Sequence, residues 1–503
     1  MTQDAARDGA APLWSLTLAE ASARIAAGSL SPVALLEAFL ARISEVDERI
    51  HSYIHVAAAQ ARAAAALAES QIAAGQWKGP LHGIPFAVKD NYDVAGMPAT
   101  AGSRLRLNHV PDGDAALVAQ LKSAGAVLIG KLATWEFGTG NGGEYFDLPF
   151  PPARNPWDTE RFTGGSSTGA GTSVAAGTAM FALGSDTTGS VRLPASATGT
   201  VGLIPTPGRL STRGILPNCW SLDIPGPFTW TVEDCAIVMD ALIGVPVDGV
   251  PGVGAAAGVP GVPGVGGLSG VSAVGGSSGA GGAGGARSLS RAVGQPVAGM
   301  HVAVIDDPGP GFPKADAALA AGLEEAVRVL ERLGVRITRT RLPIPAAECF
   351  AATRKIGPAE TAAIHKKEFT EQADLMGFAL RDKLTGGSLV SAVDYLAAQQ
   401  LRRKVADGID AMLRGYDALV TFGTLHLPPR LGVEPEMTAF TVETMLTPFN
   451  LSGHPALVQC TGFANGLPLH WQVVGNRGDE ASIIRLASAY ERATPWRERR
   501  AQP

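Results

Sequence analysis

Residues 164–194 read GGSSTGAGTSVAAGTAMFALGSDTTGSVRLP, and this stretch decides the reading of the chain. Ser166, Ser167 and Ser190 lie here among small residues. Two Gly/Thr/Ser loops, residues 164–169 and 185–190, flank a segment rich in Ala, Val and Met. The small-residue run 170–183 predicts a closely packed, buried helix. Glycine is needed where a backbone turns tightly or comes close to another group. A hydroxyl in such a loop can cap a helix, or it can act as a nucleophile over nearby backbone N–H donors. For any single serine, composition alone favours the capping or turn role.

The second half of the argument lies upstream, where residues 81–93 read LHGIPFAVKDNYD. Residues 84–88 are a short apolar run of strand type, and Lys89 ends it. A lysine at such a point is ordinarily a solvated strand end. One fed inward by an apolar strand loses hydration, which lowers the ammonium pKa. A neutral lysine can then serve as base to a serine.

Together these stretches resemble the amidase signature family of serine hydrolases. The match runs in order from GIPFAVKDNYDVAGMPATAGS (83–103) through GGSSTGAG and GSDTTGSVRLPAS (184–196). It continues through VGLIPTPGRLSTRGILP (201–217) and SLDIPGPFTWTVEDCAIVMDALIG (221–244). TPFNLSGHPAL (447–457) and GLPLHWQVVG (466–475) look like the family as well. The resemblance implies one α/β domain over residues 1–503, with a mixed, mostly parallel sheet covered by helices on both faces. It places the catalytic lysine at Lys89, the bridging serine in a cis peptide at Ser166 and the nucleophile at Ser190. Oxyanion-hole amides fall on Thr187, Thr188, Gly189 and Ser190. Ser167, Asp186 and Arg192 take supporting positions. Two residues depart from the family's pattern: Thr168 and Thr188 each stand where a glycine is common. Thr188 matters more, because its Cβ restricts the backbone where an amide must point.

Composition narrows the function classes. The chain has 503 residues, a formal net charge of −5 and 46% hydrophobic residues. No Lys/Arg block marks a nucleic-acid surface. Cys219, Cys235, Cys349 and Cys460 are scattered without a CxxC pair, so neither a zinc site nor a disulfide framework is indicated. They read as buried, reduced thiols of a cytoplasmic protein. The opening MTQDAARDGAAPLW lacks the apolar core of a secretory signal. No run approaches the roughly 18 apolar residues of a membrane span.

Along the chain, residues 14–78 predict helices at 16–27, 31–47 and 57–74. Ser-Pro at 31–32 signals a helix start. Residues 79–245 form the signature core, with strand 84–88, helix 114–124 and strand 127–130. Residues 246–298 change character: VPGVG and VPGVPGVG repeats precede Gly/Ser/Ala tracts. Such a stretch buries too little surface to offset chain entropy, and it predicts a flexible surface insert. Residues 299–503 resume the same fold, with strand 301–305, helices 315–333 and 392–413, strand 418–421 and a terminal amphipathic helix at 480–492.

Other motifs compete. GSSTG at 165–169 is a literal G-x-S-x-G centred on Ser167, but the hydrolase elbow needs a strand directly before it, and residues 155–162 are polar and charged. Residues 138–143 contain a literal G-x-G-x-x-G that opens no evident helix. By the resemblance, Gly138, Thr139 and Gly140 belong to the floor of the substrate channel. Glu360 and His365 lie five apart, whereas a metal pair on one helix face needs three or four. His82 and His454 lie near family motifs, and the implied mechanism uses neither; His454 reads as a hydrogen-bonded core residue.

The expected activity is hydrolysis of a small-molecule carboxylic amide, with no cofactor, no metal, no nucleic acid and no membrane span. The resemblance leaves a homodimer open. Three alternatives stand beside it: an amidotransferase subunit working on glutamyl-tRNA, a catalytically dead binding module on the same scaffold, and an esterase using Ser167.

Overall fold

The computed structural model describes residues 11–140, 147–243 and 288–503. Among them, eleven strands form one sheet. They are β1 (Tyr53–Val56), β2 (Pro85–Lys89), β3 (Val127–Leu132), β4 (Phe181–Asp186), β5 (Val201–Ile204) and β6 (Ile224–Thr229). The rest are β7 (His301–Ile305), β8 (Arg336–Arg339), β9 (Ala418–Thr421), β10 (Ala456–Ala464) and β11 (Leu467–Val474). Their order across the sheet is β1-β3-β2-β4-β6-β5-β10-β11-β9-β7-β8. Every residue of β2, β3, β5, β6, β9 and β11 is buried, so both faces of the sheet are covered.

The sheet is mixed, as expected, but it is less parallel than expected. Four neighbour pairs are parallel, β2–β3, β2–β4, β7–β8 and β7–β9. The other six are antiparallel. The centre accounts for the difference. β10 and β11 make a long hairpin closed at Asn465–Gly466, both with positive φ, and β5 and β6 pair antiparallel beside it.

Several helices begin where a side chain caps them. Ser31 caps Pro32–Ile50, and Ser391 caps Ala392–Leu413. Thr17 with Glu20 forms a capping box on Leu18–Ala26, so that helix starts two residues later than expected. The expected helix over 170–183 is corrected. Helix Thr168–Ala176 stops at Gly177 in the left-handed region, and Phe181 to Leu183 belong to β4. Phe181 stacks on Phe86 of β2 with centroids 5.2 Å apart, which favours strand pairing over a longer helix.

Residues 246–287 of the expected insert lie outside the described residues, while 288–298 pack on the body. Asp240 accepts hydrogen bonds from Ser288 Oγ and from the Leu289 and Ser290 amides. Leu289 and Val297 are buried. The expected insert therefore runs about a dozen residues too far. No helix among the described residues is long and apolar enough to cross a membrane.

Candidate active site

β2 is flanked on both sides by parallel partners, and its five residues are buried. Its last residue, Lys89, therefore ends inside the protein, with no exposed surface. Lys89 Nζ lies 2.7 Å from Ser166 Oγ and 3.0 Å from Ser185 Oγ. Ser166 follows a cis peptide bond from Gly165. Burial lowers the Lys89 pKa from 10.5 to about 7, against the opposing pull of the Asp223 and Asp186 carboxylates. Near pH 7, an amine so placed can take a proton from the hydroxyl it touches.

The loop after β4 presents Ser190. Asp186 organises it, accepting from the Gly189 amide at 2.7 Å, the Val191 amide at 3.1 Å and the Arg192 amide at 3.3 Å. The Arg192 guanidinium adds Nε at 3.1 Å and Nη2 at 3.2 Å, and Asn450 Nδ2 adds a bond at 2.7 Å. Both members of this ion pair are fully buried. Burial pushes the Asp186 pKa up, but Arg192 and these bonds outweigh it and hold the carboxyl below its ordinary value.

Of the four amides expected over the reaction centre, Gly189 is already taken by Asp186. The Thr187, Thr188 and Ser190 amides find no acceptor among the described residues. Thr188 is not among the positive-φ residues; the left-handed position of this loop falls on Gly189, at φ 134°. A Cβ on Gly189 would come 2.8 Å from Leu446 Cδ1. Thr188 thus sits without backbone conflict where a glycine is common.

Ser190 lines a cavity of about 70 Å³ with Gly138, Gly140, Gly165, Thr188 and Lys383. Gly138 and Gly140 thus reach the site, and Thr139 Oγ1 donates to Asn218 Oδ1 at 3.2 Å from beside it. Residues 141–143, the rest of that glycine motif, lie outside the described residues. Among the described residues, the Ser190 hydroxyl has no side-chain hydrogen bond.

Ser167 is held elsewhere. Its Oγ donates to Ser185 O at 3.2 Å and accepts from the Ser185 amide at 3.3 Å, tying the two serine loops together. Residues 162–166, directly before it, form no strand, so the elbow geometry is absent. Glu360 and His365 do not converge. Glu360 accepts from Ser221, Cys219 and Tyr395, while the His365 ring packs on Phe137. His82 and His454 are buried and hydrogen-bonded, and burial lowers both to about 4. All four cysteines are buried and unpaired.

The sequence does not point to Asn218, Asp223 or Lys383. Asp223 Oδ1 accepts from Thr187 Oγ1 at 2.6 Å, and its Oδ2 accepts from the Asn218 and Cys219 amides. It thereby ties the loop after β4 to residues 218–219. Lys383 reaches the site from helix Phe378–Ser388. Arg192 is paired with Asp186, and the Lys89 pKa is set first by burial, with the Asp223 and Asp186 carboxylates opposing it.

A large mixed sheet with a buried lysine touching a cis-linked serine, and a second serine in the glycine loop after β4, defines an amidase-signature architecture. The amidase family model matches residues 34–246 and 274–484, and the chain belongs to that family. An amidase of Pseudomonas putida is 34% identical over 501 residues, covering 97% of this chain and 98% of its own. The glutamyl-tRNA(Gln) amidotransferase A subunit of Roseiflexus castenholzii is 33% identical over 515 residues, covering 97% and 98%. A crystal structure of an amidase superposes with a TM-score of 0.78 at 28% identity, covering 95% of this chain and all of that one (100%).

Proposed function

We propose that this protein hydrolyses carboxylic amides through an acyl-enzyme on Ser190. The observation that carries the reading is the 2.7 Å contact between Ser166 Oγ and a Lys89 amine whose burial lowers its pKa to about 7. In this reading Ser190 Oγ attacks the amide carbonyl, and its proton passes to Ser166 as Ser166 gives its own to Lys89. The carbonyl oxygen becomes an oxyanion facing the unpaired amides of Thr187, Thr188 and Ser190. Each such donor is typically worth about 3 kcal/mol in the transition state. The tetrahedral intermediate collapses, the C–N bond breaks, and Ser166 protonates the departing amine while Lys89 returns its proton to Ser166. Water then attacks the acyl-enzyme, its proton taken by the same relay, and the acid leaves as Ser190 is regenerated. Esters have an easier leaving group and fit the same steps; carbamates and ureas are candidate substrates. No step draws on a metal or cofactor.

A panel of aryl, alkyl and amino-acid amides, assayed with the unmodified protein and with Ser190→Ala, tests the reading. Turnover that survives in the folded Ser190→Ala protein refutes it. Fluorophosphonate labelling at Ser190 separates an enzyme from a binding module. A Ser167→Ala comparison disposes of the esterase reading if activity persists.

A second reading has its own support: relatives named as the A subunit of glutamyl-tRNA(Gln) amidotransferase match nearly the whole chain. Under it, glutamine-dependent activity emerges only with co-purified partner subunits, and the purified chain alone is silent on the amide panel.

A further inference from the structure

Beyond the reacting atoms, the site opens into a second cavity of about 450 Å³. Gly140, Thr188, Asn218, Lys383 and Thr441 line both cavities, so the larger one continues from the wall of the smaller. Lys383 stands at the junction. Its Nζ donates to Asn218 Oδ1 at 2.7 Å and to Thr139 Oγ1 at 3.3 Å. Both acceptors are neutral; Asp223, a carboxylate that acts on Lys383 through its charge, spends its hydrogen bonds on Thr187 and on the Asn218 and Cys219 amides. An ammonium has three donors, so one is left for the cavity.

Asn218 cannot easily turn away from this role. Its Nδ2 donates to Gly138 O at 3.1 Å and Thr187 Oγ1 at 3.2 Å, which fixes Oδ1 toward Lys383. The lysine is therefore aimed by the same residues that shape the oxyanion loop. A half-buried cation with no carboxylate bonded to it directly is costly. Burial lowers its pKa to about 8, with Cys219 and Asp223 opposing and Arg354 adding to the drop. Arg354 lines the larger cavity as a second cation, exposed on its wall. One carboxylate, Glu434, lines it too, but Glu434 is exposed and water screens it.

We propose that this cavity selects amides that also carry a carboxylate, with Lys383 as the recognising cation and Arg354 as a supporting charge on the outer wall. The proposal rests on the amide-hydrolase reading and deepens it to a substrate class. A carboxylate at Lys383 supplies a directly bonded counter-ion, and the bond it forms is charge-assisted. A neutral chain of the same length leaves the ammonium unpaired, the arrangement by which polar sites reject isosteres.

The experiment compares succinamic acid with butanamide, two four-carbon amides that differ in the terminal carboxylate, at pH 7. The expected ratio of kcat/KM is at least about tenfold in favour of the acid. Lys383→Met is expected to lower that ratio by about tenfold or more, chiefly through KM, while Lys383→Arg keeps most of it. Lys383→Gln serves if the methionine variant does not fold. Equal kcat/KM for the two amides, or a ratio unchanged in Lys383→Met, overturns the proposal. Succinate binding to Ser190→Ala, measured by titration calorimetry, gives a second readout. Saturable binding that Lys383→Met abolishes supports the anion subsite even if no amide is turned over, in which case only the hydrolase reading fails. Succinate that does not bind at millimolar concentration overturns the subsite.

Discussion

Replacing Lys89 by methionine should stabilise the fold while destroying activity. Burial lowers this lysine from 10.5 to about 7. Between those values the unfolded chain holds a proton that the folded chain lacks, so raising the pH favours folding. Below about pH 7 the full cost of burying the amine weighs against the native state. At about 1.36 kcal/mol per tenfold in proton affinity, that cost is up to about 5 kcal/mol. Methionine fills a similar volume and carries no charge. It forfeits the contacts to Ser166 and Ser185, each worth about 1 kcal/mol, which leaves a net gain of about 3 kcal/mol near pH 6. The gain should shrink as pH climbs toward 10.5. Denaturant midpoints of the two proteins from pH 6 to 10 measure the difference. In the proposed mechanism the same lysine is the base, so kcat/KM of the unmodified protein should rise through about pH 7 and then level off. Lys89→Arg should restore nothing, because a guanidinium keeps its proton throughout this range. A methionine variant less stable than the parent at pH 6, or an advantage that grows with pH, would refute the burial argument. A fully active Lys89→Arg would remove lysine from the mechanism.

Ser190→Ala should lower kcat at least about a thousandfold with the circular dichroism spectrum unchanged. Asp186→Asn leaves the buried Arg192 without its counter-ion and should cost about 3 kcal/mol or more, read as a lower denaturation midpoint. Replacing residues 248–286 by a short Gly/Ser linker should preserve activity and melting temperature, since loop length adds little closure entropy. Extending the cut to Pro296 removes Ser288 and Leu289 from Asp240 and should lower the melting temperature.

The elements read most accurately from sequence are those with local signals. Strands His301–Ile305 and Ala418–Thr421 and helices Ala392–Leu413 and Glu480–Arg492 lie where expected. Ser391 and Asp479 cap the two helices through their side chains, and such caps are written in neighbouring residues. Helix Ala346–Ile364 is hidden by Gly357 and Pro358, which argue against a helix but sit inside this one. β1 is a half-buried edge strand of four residues, too short and too mixed to show a period. Lys89 and Ser166, which the resemblance pairs through specific motifs, lie in contact. Lys383 is not legible, because a lysine in FALRDKLTGG resembles any solvated helix position. Only the packing of helix Phe378–Ser388 against the site turns it inward.

The C-terminal motifs gain a physical meaning from the clamp around Arg192. TPFNLSGHPAL supplies Asn450, and GLPLHWQVVG supplies Gln472. Arg192 Nη1 donates to Gln472 Oε1 at 2.7 Å and to Leu446 O at 2.9 Å, while Nη2 bonds Asn450 Oδ1. The loop bearing Ser190 is therefore held by residues from beyond the Gly/Pro-rich stretch. The sheet makes the same join, since β10 pairs with β5. A fully buried ion pair is weak evidence for stability, because desolvation offsets its attraction. Its consequence here is electrostatic. Asp186 is paired with Arg192 and offsets the arginine's repulsion of a proton on Lys89. The low pKa of the lysine must then come from its burial at the end of β2, against two carboxylates that pull the other way. A change that wets that strand end should raise the lysine pKa and silence the site at neutral pH, even with the lysine and both serines in place.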